Sequence, residues 1–185
     1  MSETRNSPLD DLITEATPEV LAVLRHPTDR VKLGVKGPGL VAWAEQHEIE
    51  LPVEVYDTLL VGQHGVLARV GTGELILECA PDDGLLTRFE SALQTVDNGV
   101  YRIEQQSVTL VLAGDAALGV LAQTCGVDFV GELADRMVYT RVAGASCGVL
   151  PREEAGQRVY RLWVDYSLAP YLWKTLAEIA AGLRV

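Results

Sequence analysis

The sequence predicts an α+β fold built from two similar halves, each of the order strand, helix, strand, strand, helix. Three observations carry that prediction. Short apolar runs alternate with amphipathic helical stretches. Glycine-rich turns join neighbouring apolar runs directly, so the sheets are mostly antiparallel and hairpin-linked. The stretch Leu110–Phe129, LVLAGDAALGVLAQTCGVDF, also has an echo at Leu33–Leu51, LGVKGPGLVAWAEQHEIEL, with Gly114 lying 77 residues after Gly37. Each is an apolar strand, a glycine turn and a helix that docks back. Identities between the copies are few, and the matching order of elements carries the repeat. Two ferredoxin-like βαββα halves are the expected architecture, with boundaries at residues 31–98 and 99–185 behind an arm of residues 1–30.

The arm is polar and broken by Pro8, Pro18 and Pro27. It is expected to be extended, with one short helix near Glu19–Arg25 that begins at Thr17 and has Pro18 in its first position. Arg30–Lys36 reads as the first strand. Gly37-Pro38-Gly39 turns it into a helix, Leu40–His47, and Pro52 prevents the helix from continuing. Val53–His64 reads as a loop with a short extended piece. Gly65–Val70 and Glu74–Cys79 form a hairpin around Gly71-Thr72-Gly73. Pro81-Asp82-Asp83-Gly84 leads into an amphipathic helix, Leu85–Val96, with Leu86, Phe89 and Leu93 on one face.

Asp97-Asn98-Gly99 is the joint between the halves, and Tyr101–Gln106 a linking strand. Ser107–Ala113 is a strong β run. Gly114-Asp115 then opens helix Ala116–Gln123, with Asp115 expected to cap it. Arg136–Arg141 and Ser146–Pro151 read as a hairpin, Arg152–Gln157 as a polar turn, and Arg158–Val164 as the last strand. Ser167 is the expected cap of the final helix, Leu168–Ala181. Its core stripe is Leu172, Leu176, Ile179 and Ala180.

Composition narrows the function. The chain has 185 residues and 48% hydrophobic content, enough for a sizeable core. Its 26 acidic residues outnumber 15 basic ones, giving a net charge of −11. That surface repels phosphate backbones and anionic lipid, so a nucleic acid or a membrane surface is not the expected partner. Three cysteines, at 79, 125 and 147, have no CxxC spacing, which argues against a disulfide framework or a zinc site. A reducing cytoplasm is the expected location. The N-terminal stretch lacks a signal-peptide pattern.

No motif for catalysis stands out. The glycine turns lack the GxxxxGK[ST] and GxGxxG patterns of nucleotide sites. His26, His47 and His64 have no partner at i+3 or i+4 to make a metal edge. Ser107, Ser146 and Ser167 lie in no nucleophile turn. Cys125 and Cys147 have no neighbouring base that would lower their pKa. Arg141, among apolar strand residues, needs either an ion pair with Asp128, Asp135 or Asp165, or an anion or partner contact. Trp163, Tyr166, Tyr171 and Trp173 crowd the last strand and helix. Those not needed for packing would serve as interface anchors.

Five stretches, taken in order, point to a family: KGPGLVAWAEQHEIELP, VLARVGTGELILE, TLVLAGDAALGVLAQTCGVDF, MVYTRVAGASCGVL and YRLWVDYSLAPYLWKTLAEIA. Together with Ser7-Pro8-Leu9 they resemble the gamma subunit of heterotetrameric sarcosine oxidase. The resemblance implies a fold related to the N-terminal, folate-binding part of glycine-cleavage aminomethyltransferases. It implies a non-catalytic accessory subunit of a complex that oxidatively demethylates an N-methyl amine such as sarcosine or dimethylamine. Its partners would be larger catalytic subunits, which would carry the flavin or iron. The one-carbon unit would pass to tetrahydrofolate, and this chain would bind no cofactor alone, with tetrahydrofolate the one ligand it could contact. The alternative is a stand-alone folate-dependent aminomethyl-transfer enzyme. Candidate ligand contacts are Asp115, Asp128, Arg141 and Asp165. Candidate partner contacts are Tyr139, Arg141, Tyr166 and Trp173.

Overall fold

A computed structural model describes residues 7–94, 99–130 and 136–183. The chain divides into two compact units. The central unit comprises Thr28–Gln105 and Asp135–Met137, and the terminal unit Met1–Pro27, Gln106–Ala134 and Val138–Val185. The joint expected at Asp97-Asn98 and the ion-pair candidate Asp135 lie outside the described residues. Each unit contains an antiparallel five-stranded sheet with helices, so the α+β class expected from sequence holds, but each half has three strands between its two helices where the expected βαββα order had two.

In chain order, two short helices come first, α1 (Asp10–Glu15) and α2 (Pro18–Val23), followed by the two-residue strand β1 (Leu24–Arg25). The sequence suggested one helix here. The first is shortened to six residues by Ala16, whose extended backbone and the following Thr17-Pro18 break the run. The arm is anchored by Leu9 and Leu24, each 0% exposed.

The central unit runs β2 (Val31–Lys36), α3 (Leu40–Gln46), β3 (Thr58–Val61), β4 (Gly65–Gly71), β5 (Glu74–Cys79), α4 (Gly84–Ala92) and β6 (Tyr101–Ile103). Its sheet has the order β3-β4-β5-β2-β6. Leu33 and Val35 of β2 and Leu75 and Leu77 of β5 face the helices, where Leu40, Trp43 and Phe89 close the core. Trp43 meets Phe89 edge-on at 5.6 Å, a favoured aromatic geometry. Asp83 caps α4, its Oδ1 accepting from Leu85 N at 2.8 Å.

The terminal unit continues with β7 (Ser107–Ala113), α5 (Ala116–Thr124), β8 (Val138–Val142), β9 (Ala145–Glu154), β10 (Gln157–Asp165) and α6 (Ala169–Gly182). Its sheet has the order β1-β7-β10-β9-β8. Leu110, Leu112, Val149, Leu162 and Val164 face Leu172, Trp173 and Leu176 of α6. Each such buried side chain contributes about 1.5–3 kcal/mol. Arg152–Glu154, expected as a turn, instead extends β9. The chain reverses in only two residues, Ala155 (φ 51°) and Gly156 (φ 76°), the left-handed pair that suits the twist of a tight hairpin.

The two sheets share one plan. The first strand of each half, β2 or β7, is flanked by the half's last strand on one side and by an extra edge strand on the other. Those edge strands are exchanged. β1 directly precedes β2 in the chain but pairs with β7, while β6 directly precedes β7 but pairs with β2.

Candidate functional site

The glycine turns between the first strand and helix of each half do not cradle a phosphate. The Gly37 N–H, the donor such a ligand would use, goes to the Gly73 carbonyl at 2.9 Å. A Cβ on Gly37 would lie 2.3 Å from the Gly99 carbonyl oxygen, so this glycine is required by backbone crowding. At the second turn Gly114 takes φ 76° and its carbonyl accepts from Ala117 N at 3.1 Å. Asp115 is exposed, adopts helical dihedrals and makes no side-chain cap. The expected Asp115 cap is therefore absent, because the glycine makes the turn and supplies the acceptor itself.

The other carboxylate candidates are also exposed, and each completes a local turn. Asp128 Oδ1 accepts from Val130 N at 2.9 Å. Asp165 Oδ1 accepts from the Ser167 hydroxyl at 2.5 Å and from Ser167 N at 2.9 Å. The hydroxyl, then the amide, hold the Asp165 carboxyl below its ordinary range. Ser167 is thus committed to Asp165 and does not cap α6, whose N-cap is Leu168. Asp115 and Asp165 lie at opposite ends of the sheet. Ser107 pairs with Asp165 at one end of β7, and Ala113 precedes Asp115 at the other. Seven strand residues put about 20 Å between those ends, so these carboxylates do not converge on one ligand.

The buried charges are elsewhere, and the sequence reading missed them. Glu78, 0% exposed, lies 3.6 Å from Arg30 Nη1 and 3.5 Å from Lys32 Nζ in the central unit. Arg161, 1% exposed, donates to Glu154 through Nε at 2.8 Å and Nη2 at 2.5 Å. Lys32–Glu78 and Arg161–Glu154 each link adjacent strands, and the contacts are structural in form. Cross-strand registers β2–β5 and β9–β10 are the signal that would have found them. His26 was likewise set aside. Its Nδ1 hydrogen-bonds the Thr109 carbonyl at 2.8 Å, so Nε2 is free to accept from the Ser7 hydroxyl at 3.0 Å. The Ser7 hydroxyl also accepts from Leu9 N, and Ser7 N donates to Asp10 Oδ2, contacts that tie the residues before α1 to its first turn.

The two buried cysteines are held as thiols. Burial pushes the Cys79 thiol up to about 11 and the Cys147 thiol up to about 12, so neither is a thiolate near neutrality. No group of three potential metal ligands occurs among the described residues.

Of the interface candidates, Trp173 is 2% exposed in the terminal core, and this corrects its assignment as an anchor. It sits where the helix stripe passes Leu172 and Leu176. Tyr166 is half-buried against the same core. Tyr139 is 49% exposed and Arg141 is exposed. Both stand on the face of β8 turned away from the helices, with Ser146 opposite Arg141. Arg141 forms no ion pair with any described residue, so the expected partners Asp128 and Asp165 do not reach it. Tyr139, Thr140, Arg141, Ser146 and Gly126 line an open groove of about 700 Å³. None of the described helices is long and apolar enough to cross a membrane.

No protein-family profile and no curated protein matches the sequence. Solved structures do. The chain superposes on a chain of heterotetrameric sarcosine oxidase from Corynebacterium sp. U-96, determined with pyrrole 2-carboxylate, with a TM-score of 0.75. Identity is 22%, and the match covers 99% of this chain and 100% of that one. It also superposes on glycine cleavage system aminomethyltransferase T from Bartonella henselae, with a TM-score of 0.62 and 17% identity. That match covers 91% of this chain but 49% of the enzyme, so this chain spans about half its length. At these identities the likeness establishes a shared fold.

Proposed function

We propose that this chain is a non-catalytic accessory subunit of a hetero-oligomeric oxidase or monooxygenase that demethylates an N-methyl amine. One observation carries the reading. The match to a chain of heterotetrameric sarcosine oxidase is end to end in both directions, whereas the match to an aminomethyltransferase stops at about half of that enzyme. The aligned region thus takes in all of a sarcosine oxidase chain but about half of the aminomethyltransferase. The scattered, exposed carboxylates and the protonated thiols support a role in binding rather than in bond-making. In this reading flavin or iron resides on larger partner subunits. The chain stabilises the assembly and borders the compartment where the one-carbon unit meets tetrahydrofolate.

The test is affinity capture from the native cell with a tag on this chain. The expected result is stoichiometric recovery of a larger subunit with a flavin or iron chromophore. Recovery of a monodisperse chain with no such companion overturns the proposal. The shared aminomethyltransferase fold keeps one rival, a stand-alone folate enzyme. Calorimetry of the isolated chain with tetrahydrofolate separates the two: no heat is expected at high micromolar ligand, and saturable heat would favour the enzyme.

A further inference from the structure

Two grooves of the terminal unit meet at Gly126. One, of about 480 Å³, runs beside α5 and is apolar, lined by Leu118, Leu121, Ala122, Val127, Phe129 and Val130. The other is the roughly 700 Å³ polar groove under Tyr139 and Arg141, with hydroxyls from Thr140 and Ser146. Gly126 borders both grooves and is exposed, and nothing lies within 4 Å of where its Cβ would be.

The charge pattern says what this surface accepts. The chain carries 26 acids against 15 bases. Neighbouring cations of the sheet are engaged, Arg158 with Glu153 and Arg161 with Glu154. Arg141 keeps an exposed guanidinium that no described carboxylate reaches. The one carboxylate among the described lining residues, Asp128, stands in the wall of the other groove, where its Oδ1 accepts from Val130 N at 2.9 Å. At the apolar end, Leu118 is 38% and Val130 77% exposed. An apolar hollow flanked by a charge that no described carboxylate matches has the apolar centre and polar rim of a protein contact. The sheet edge adds to it. β8 is outermost, and the bridge between Cys125 and Val142 closes only one end of it. Val138–Arg141 has no described strand on its outer side.

We infer that these joined grooves seat an extended segment of the partner subunit, one that carries an apolar side chain followed by a carboxylate. The apolar side chain fills the groove beside α5, and the carboxylate is held by Arg141. The segment's backbone lies along the open edge of β8. This rests on the accessory-subunit reading and names the face through which it acts.

The test uses the tagged full chain and the flavin- or iron-bearing partner captured with it. Arg141→Glu and Leu118→Glu, each checked for an unchanged thermal midpoint, are expected to weaken partner binding about tenfold or more. Arg141→Lys should lose less, since it keeps the charge but not the planar fork. A photo-reactive phenylalanine analogue at position 139 should crosslink to a segment of the partner that contains Asp or Glu. If Leu118→Glu fails to fold, Ala122→Glu on the exposed side of α5 takes its place. Wild-type binding by the charge variants overturns the docking site while leaving the accessory role intact. Crosslinks between two copies of this chain, or within one copy, also overturn it. Failure of the wild-type chain to capture any such partner overturns the accessory role, and the docking site with it.

Discussion

Cys79 and Cys147 show how single residues here are spent on the core. Each is 1% exposed, and burial raises its pKa from 9.0 to about 11 and about 12 respectively. In the unfolded chain the same thiols ionise near 9. The folded state therefore binds more protons above that pH, and the thiols' contribution to stability is complete below about 9 and lost as pH rises toward 11 and 12. Chemical denaturation should show stability falling across that window. The fall should flatten in Cys147→Ala, and an unchanged slope in that variant would assign the alkaline loss to other groups. The sequence made these cysteines legible as small buried residues, because no base or metal spacing accompanied them. It did not make Trp173 legible. An aromatic on an amphipathic helix near a strand of mixed residues reads equally as core or as surface until the helix rotation is known. Arg141 was the reverse case: an unmatched strand arginine looked like half of an ion pair, and the partner is absent among the described residues.

At the scale of elements, turns decide most of the architecture. The turn after β2 works only because Gly37 lets three backbone segments cross. Its N–H meets the Gly73 carbonyl, and its Cα faces Gly99 and Val100, with 2.3 Å and 2.6 Å left for a Cβ. Gly37→Ala should cost about 1–3 kcal/mol or more, since the atoms in the way are backbone and cannot rotate aside. Thermal unfolding is the check, with Gly84→Ala as control, since nothing lies within 4 Å of that Cβ. Glycine turns were the best-read signals in the sequence, and the hairpins of β4–β5 and β8–β9 fell where they pointed. The β9–β10 hairpin was misread because its polar residues suggested a loop. Arg152 is in fact 4% exposed, and Glu154 holds Arg161, so polarity there reflects buried pairing rather than solvent. The short extended piece expected within Val53–His64 is the four-residue strand β3. The N-terminal helices were compressed into one because Pro18 was read only as a start, while Ala16 and Thr17 also end the turn before it.

For the whole molecule, the chain path matters more than any single contact. The terminal unit is assembled from segments on both sides of the central unit in sequence. Leu24 of β1 pairs with Leu112, although its chain neighbours lead into β2. Leu24→Ala should therefore cost about 2–5 kcal/mol. Hydrogen exchange should quicken at β7 and α6 of the terminal unit, not at the sequence-adjacent β2. Faster exchange confined to β2 would contradict the pairing. The sequence repeat was visible at this scale through its order of elements, with Gly37 and Gly114 as its clearest shared mark. The exchange of edge strands was not visible, since a two-residue and a three-residue strand carry no periodicity of their own.

That exchange has a further consequence for how such a chain can exist at all. A single copy of the repeat would have an open edge beside its first strand, and its leading strand, a few residues upstream, could close that edge only by folding back as a hairpin. Two separate copies would satisfy each other by trading those strands, as domain-swapped dimers do. Fusing them into one polypeptide makes the trade internal. The chain is then a swapped dimer written as one sequence, and cutting it between the halves would leave each piece holding the other's edge strand.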